Sequence, residues 1–173
     1  MKSFLTALLI LCAAFYALRL MKAHVNFANA PSELAVTRID PDGTVVHETL
    51  LPLSAPYLAV YHGAGWCGPC QRFSPELAEF YHSADRSARR FQLVMVNYDR
   101  SEDDMLACMR QHKMEFPAVI RGSAGAWGRA TGNGIPNLII IDTATGKVVA
   151  SSYDGGAYVG PGVPLEALKK IAR

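Results

Sequence analysis

Cys67 and Cys70 are the residues of this chain best suited to chemistry, because two intervening residues let their sulfurs close a small disulfide ring. They stand in Trp66-Cys67-Gly68-Pro69-Cys70, after an apolar run and before a helical pattern, which places Cys67 at a helix N-terminus. Unpaired amides and the helix dipole there favour a thiolate and lower its pKa from about 8.5. Pro69 suits the first helical turn, where its missing N–H costs nothing. A Cys67 thiolate could attack a partner's disulfide, and Cys70 would then resolve the mixed disulfide. Two other readings compete. Tetrahedral zinc wants four ligands, but no second C-x-x-C or close Cys/His pair follows, and His47, His62, His82 and His112 are scattered. A purely structural bridge would close so short a loop that little chain entropy is removed.

The elements that must hold this pair are legible around it. Leu34 to Leu51 reads as a hairpin turning at Asp40-Pro41-Asp42-Gly43, followed by a connector with Pro52, Ser54 and Pro56. Tyr57–His62 is a compact apolar strand ended by Gly63-Ala64-Gly65. Phe73, Leu77, Phe80 and Tyr81 recur at helical spacing from Cys70 to about Ser83. Phe91–Asn97 suits a buried strand, and Ser101-Glu-Asp-Asp104 is a capping box opening a helix through about His112. Gly122–Gly134 holds five glycines and predicts a loop around one short helical turn. Leu138–Ile141 and Lys147–Ser152 flank Asp142-Thr-Ala-Thr-Gly146 as a second hairpin, and Pro164 starts a last helix to Ala172. The order ββ–βαβα–ββα predicts an α/β protein with a mixed central sheet covered by helices on both faces.

Trp-Cys-Gly-Pro-Cys after an apolar strand resembles the active site of the thioredoxin-like superfamily. Pro75, eight residues after Cys67, stands where that family kinks its first helix. Gly134-Ile135-Pro136 before Asn-Leu-Ile-Ile-Ile-Asp is similar to its cis-proline loop and following strand. Tyr61-His62-Gly63-Ala64, the Phe73–Phe80 segment and Tyr98-Asp99-Arg100-Ser101-Glu102-Asp103 most resemble the tryparedoxin/nucleoredoxin branch. The likeness covers roughly residues 55–153. It implies a thioredoxin-like fold, Cys67 and Cys70 as catalytic residues, and a substrate groove built from Trp66, Gly68, Pro69, Ile135 and Pro136. It also implies a cis Ile135–Pro136 bond on one wall of that groove. Two positions depart from the pattern. Gly68 replaces the proline usual in that branch, and Tyr61 stands where thioredoxins proper carry a buried aspartate. A phenol near pKa 10 is a poor acceptor for the Cys70 proton. Strand alternation points the neighbouring His62 to the opposite face, as a packed or rim histidine or, alternatively, a catalytic one.

Other residues have plainer readings. Trp66 reads either as an aromatic platform beside the thiolate, which the resemblance favours, or as core filling, and Trp127 with its glycines is expected to line the substrate side. Cys108, in Met105-Leu-Ala-Cys-Met109, is a buried inert thiol rather than a third redox residue. Cys12 is an apolar filler.

At 173 residues, half of them hydrophobic and 18% charged, the chain can bury a core without disulfide staples. Lys2, Arg19 and Lys22 precede the first acid, Glu33, so residues 31–173 hold one more acid than base. That balance argues against a nucleic-acid partner. Lys2 followed by the apolar run Phe4–Leu18 predicts residues 1–30 as a signal peptide or membrane anchor. Ala28-Asn29-Ala30 has the form of a cleavage site, while a helix from Ser3 to Met21 could instead tether the chain. Residues 31–56 then form a hairpin extension and residues 57–173 the thioredoxin-like domain, in an exported, periplasmic or otherwise extracytoplasmic protein.

The expected activity is thiol–disulfide exchange, in the direction of reducing protein disulfides. Gly68-Pro69 offers no histidine or charge to stabilise the thiolate further, and a less stabilised reduced form is a stronger reductant. A membrane thiol carrier is the expected electron donor, since an oxidising compartment supplies none. The chemistry resides in two sulfurs, so neither cofactor nor metal is called for. The alternatives are a disulfide oxidase or isomerase, and a metal chaperone using the same cysteines as soft ligands.

Overall fold

The computed structural model describes residues 25–173 except Arg86 and Arg89. The expected leader and Cys12 lie outside the described residues. Nine strands and three α-helices follow the order β1 (Leu34–Ile39), β2 (Val45–Leu50), β3 (Tyr57–Gly63), α1 (Gly68–Ser83), β4 (Phe91–Asn97), α2 (Glu102–Gln111), β5 (Ala118–Ile120), β6 (Asn137–Asp142), β7 (Lys147–Ser151), β8 (Tyr153–Asp154), β9 (Ala157–Tyr158) and α3 (Gly162–Ile171), among the described residues. Two 3-10 helices, Arg121–Ser123 and Gly125–Gly128, follow β5.

Seven strands form one mixed sheet in the order β2-β1-β5-β4-β3-β6-β7. β3 is central: it runs parallel to β4, pairing Tyr61 with Met95, and antiparallel to β6, pairing Tyr61 with Leu138. Its residues are apolar without alternation because both faces are covered. Ala59, Tyr61, Leu93, Met95 and Ile140 face a core filled by Phe73 and Leu77 of α1, Met105 and Met109 of α2, and Leu165 and Leu168 of α3. Leu58, Val60, Val94, Val96 and Ile139 face a second core, closed by Ala124 and Trp127 of the 3-10 segment and by Phe27.

The hairpin β1–β2 turns at Asp40–Gly43, where Gly43 has φ +89° and an Asp42 carboxylate oxygen accepts the Thr44 N–H. It joins the main sheet through β5, which lies parallel to β4 on its other side. The sequence shows no strand at Ala118–Ile120, since three residues behind Pro117 are too few to display a period. Pairing on both edges stabilises them as a strand. The last helix starts at Gly162, two residues before Pro164, which sits inside its first turn.

Candidate functional site

The disulfide lies where β3 ends and α1 begins. Cys67 is the N-cap of α1, with extended backbone angles (φ −87°, ψ 106°), and its Sγ accepts the Cys70 N–H at 3.2 Å. A sulfur therefore occupies the place a serine or aspartate oxygen takes at other helix starts. Pro69 fills the first turn, no acid shares that turn, and Pro75 lies inside the helix. Cys67 and Cys70 are joined as a disulfide with Cα atoms 5.1 Å apart, and both are buried. Ala64, Tyr98 and Ile135 pack around the two sulfurs.

The loop before Cys67 is pinned from β4. Asp99, one residue beyond Tyr98, accepts the Gly65 N–H with both carboxylate oxygens at 3.0 Å. Asn97, wholly buried, donates to Asp99 through its amide at 2.9 Å and accepts the Asp99 N–H at 2.8 Å. A Cβ at Gly65 would stand 3.2 Å from the Cys108 Cβ and 3.4 Å from the Asp99 carboxylate, so a side chain there would press on both by a few tenths of an ångström. Trp66 is 66% exposed and donates its indole N–H to the Tyr98 carbonyl at 3.2 Å, which fixes the side chain. Sequence reasoning quoted Tyr98 and Asp99 only for resemblance and missed their positioning role. The signal is their place just past the C-terminal end of a parallel strand, where sites of open α/β sheets gather.

The other wall is the loop before β6. The Ile135–Pro136 bond is cis, and the Ile135 carbonyl oxygen lies 3.7 Å from Cys67 Sγ. Two tyrosines of the β8–β9 hairpin brace this loop. Tyr153 Oη accepts the Gly134 N–H at 2.8 Å, and Tyr158 Oη donates to the Pro136 carbonyl at 3.2 Å. Their rings sit 5.1 Å apart. A Cβ at Gly132 would come within 2.4 Å of the Tyr153 ring, which accounts for that glycine.

Beneath the site, Tyr61 and His62 part to opposite faces. Tyr61 is fully buried, exchanges a 2.8 Å hydrogen bond with Ser74 Oγ, and meets Phe73 edge-on. Burial pushes its phenol well above its ordinary range, so it holds its own proton at neutral pH. His62 is also fully buried, with Nδ1 3.1 Å from Tyr98 Oη. Its pKa is held down to about 4, chiefly by burial and then by the Arg121 charge, while the Arg129 backbone works weakly the other way. It is a neutral packed histidine.

The structure thus brings Cys67 and Cys70 against Ile135, with the cis Pro136 next in the chain, while Trp66, Gly68 and Pro69 are exposed beside the two cysteines. Trp127 is not among them. It is wholly buried in the second core, stacked on Phe27 at 5.5 Å and donating to the Pro31 carbonyl at 3.1 Å. The glycines around it line a cleft, but the indole faces inward, covered by Phe27 and the rest of the second core. Cys108 is buried in α2, and burial, with the Asp99 charge, raises its thiol to about 11. Among the described residues, no three His, Cys, Asp or Glu side chains gather as a metal site would require.

A family model described as thioredoxin-like matches residues 56–148. A probable nucleoredoxin 1 from Arabidopsis thaliana is 35% identical over 124 residues, covering 66% of this chain and 20% of that protein. The tryparedoxin of Trypanosoma brucei brucei is 32% identical over 94 residues, covering 53% of this chain and 65% of that one. The chain thus spans a fifth of the first relative and just under two thirds of the second. Among solved structures, the thioredoxin domain of a thiol-disulfide oxidoreductase from Bacteroides vulgatus superposes with a TM-score of 0.54 at 21% identity. That match covers 80% of this chain and 94% of the other, and shows the shared fold.

Proposed function

From the premise that the chain belongs to the thioredoxin-like family, with its redox-type Cys67–Cys70 disulfide, we propose that it reduces disulfides in protein substrates. The observation that carries this reading is Cys67 Sγ at the start of α1, accepting the Cys70 N–H, with the Ile135 backbone alongside. In the reduced protein the Cys67 thiolate attacks one sulfur of the substrate disulfide. A Cys67–substrate bond forms, and the other substrate sulfur leaves as a thiolate and takes a proton. Cys70, after losing its proton, attacks Cys67 Sγ and expels the second substrate sulfur. The Cys67–Cys70 disulfide is restored, and two electrons have passed to the substrate. An external dithiol must return them.

Gly68 and Pro69 add no cation near Cys67, which favours the reducing direction over an oxidase. The groove formed by Trp66, Gly68, Pro69, Ile135 and Pro136 suits an extended chain, whose backbone can pair with that of Ile135. The apolar run Phe4–Leu18 after Lys2 supports export or tethering through residues 3–21, with a membrane thiol carrier as donor. No helix among the described residues is long and apolar enough to cross a membrane.

Insulin reduction by dithiothreitol tests the activity. The protein accelerates precipitation of the B chain, Cys67→Ser abolishes the acceleration, and Cys70→Ser accumulates a mixed disulfide with substrate. No acceleration by the wild-type protein overturns the reading.

A further inference from the structure

Next to the cysteines lies a cleft of about 840 Å³ that disulfide exchange alone does not use. Ile135, Tyr98, Arg121, Arg129 and the glycine-rich loop line it. Neither arginine has a carboxylate partner among the described residues. The Arg121 guanidinium stands 5.0 Å over the Tyr98 ring, which orients it without neutralising it. Arg129 spends one N–H on the Asn26 carbonyl at 3.1 Å and keeps the others. The acid in the cleft, Asp99, has both oxygens engaged by the Gly65 N–H and one by the Asn97 amide as well. A Cβ at Gly122 or Gly125 would meet nothing within 4 Å, so the loop leaves its backbone bare toward solvent or ligand. Residues 31–173 carry one more acid than base, which makes two guanidiniums facing a single carboxylate, Asp99, in one cleft a local excess of positive charge. Ile135, whose carbonyl lies 3.7 Å from Cys67 Sγ, also lines this cleft, so the disulfide and the cleft share a wall.

We propose that the cleft binds the acidic flank of a protein substrate, with carboxylates near its disulfide meeting Arg121 and Arg129. The proposal rests on the exchange reading above and names the substrate class of that same site. Planar guanidiniums take carboxylates in paired hydrogen bonds, so both strength and orientation follow. A polypeptide fits better than a small disulfide because the cleft extends the Ile135 backbone, the edge along which an extended strand can pair.

Two disulfide peptides of one sequence, differing only in Glu or Lys flanks, test this, together with versions in which serines replace their cysteines. Calorimetric titration of the serine versions into the oxidised full chain reads binding without redox chemistry. The Glu peptide binds at least about tenfold more tightly than the Lys peptide at low salt, and the advantage shrinks at high salt. Arg121→Gln and Arg129→Gln each reduce the preference about threefold to tenfold, and Arg129→Lys restores part of it. For reduction of the Glu peptide the Gln variants raise KM more than they lower kcat. Equal binding of the two peptides, or a preference untouched by both Gln variants, overturns the proposal. Tighter binding of glutathione disulfide than of the Glu peptide overturns the assignment to a polypeptide. Reduction of both disulfide peptides without preference removes the cleft's role alone, whereas preference without reduction removes the exchange reading and keeps the cleft.

Discussion

Tyr153 Oη accepts the Gly134 N–H at 2.8 Å, tying a two-stranded hairpin at the sheet's edge to the loop that faces Cys67. The carbonyl of the following residue, Ile135, is the one 3.7 Å from Cys67 Sγ. Tyr153→Phe keeps the ring that packs on Gly132 and removes only the acceptor. The stability cost is about 0.5–1.5 kcal/mol, a fall in Tm of roughly 1–6 °C for a chain of this size. Disulfide reduction slows several-fold while the fold is retained. Thermal melts and insulin reduction measure both; an unchanged rate at lowered Tm would show the brace to be structural only.

Asp99 and Asn97 hold the other wall. Asp99→Ala leaves the Gly65 N–H and the Asn97 amide without their partner in a largely buried place. A loss of about 1–3 kcal/mol is expected for such orphaned donors. The Gly63–Trp66 turn then loosens, and reduction falls further than for Tyr153→Phe because Cys67 itself shifts. Urea unfolding with a parallel rate assay checks the order of the two effects. Equal stability of Asp99→Ala and wild type removes the pinning role.

Cys67 should titrate below an ordinary thiol. Its sulfur already accepts a helix N–H in the oxidised form, and no acid stands in the first turn of α1. The Ile135 carbonyl opposes a negative charge only weakly at 3.7 Å. Iodoacetamide alkylation of the reduced protein against pH, with Cys67 followed by mass spectrometry, gives a midpoint clearly under about 8.5. A midpoint at or above that value removes the helix-terminus contribution.

These features were unequally visible in the sequence. The cysteine spacing, Pro75 and Gly134-Ile135-Pro136 are local patterns, and each reports a local backbone requirement. The turns at Asp40–Gly43 and Asp142–Gly146 were legible for the same reason: Gly43 and Gly146 both adopt positive φ. The strand Ala118–Ile120 was not, because its existence depends on neighbours supplied by β1 and β4. Trp127 was misplaced since a tryptophan among glycines reads as surface, and only the stacking partner Phe27, a hundred residues earlier, turns it inward. Asp99 and Tyr153 act through backbone N–H groups more than 15 residues away, a relation no period or spacing encodes.

The leader carries its own test. Lys2 and the apolar run from Phe4 predict that the N-terminus stays cytoplasmic while the remainder crosses. Alkaline phosphatase fused after residue 40 is therefore active in a bacterial host, and a fusion lacking residues 2–24 is inactive. Inactivity of the first fusion defeats the export proposal.

His62 makes stability depend on pH in a defined direction. Buried against Tyr98 and near the Arg121 charge, it has a folded pKa of about 4, below the 6.5 of a free imidazole. Between those values the unfolded chain takes up a proton that the folded chain refuses. The stabilisation is complete above about pH 6.5 and declines as pH falls toward 4, by about 1.4 kcal/mol per unit at its steepest. His112, also held below its ordinary value by burial, adds to the same trend. Replacing His62 by glutamine removes the titration but keeps a polar group able to face Tyr98 Oη. Over pH 7 to 5 the wild-type unfolding free energy in urea therefore drops about 2 kcal/mol more than that of His62→Gln. The comparison cancels the carboxylates and His112, which both proteins share. Parallel curves for the two would mean that His62 titrates normally in the folded chain, and that the region beneath the cleft is wetter than its burial implies.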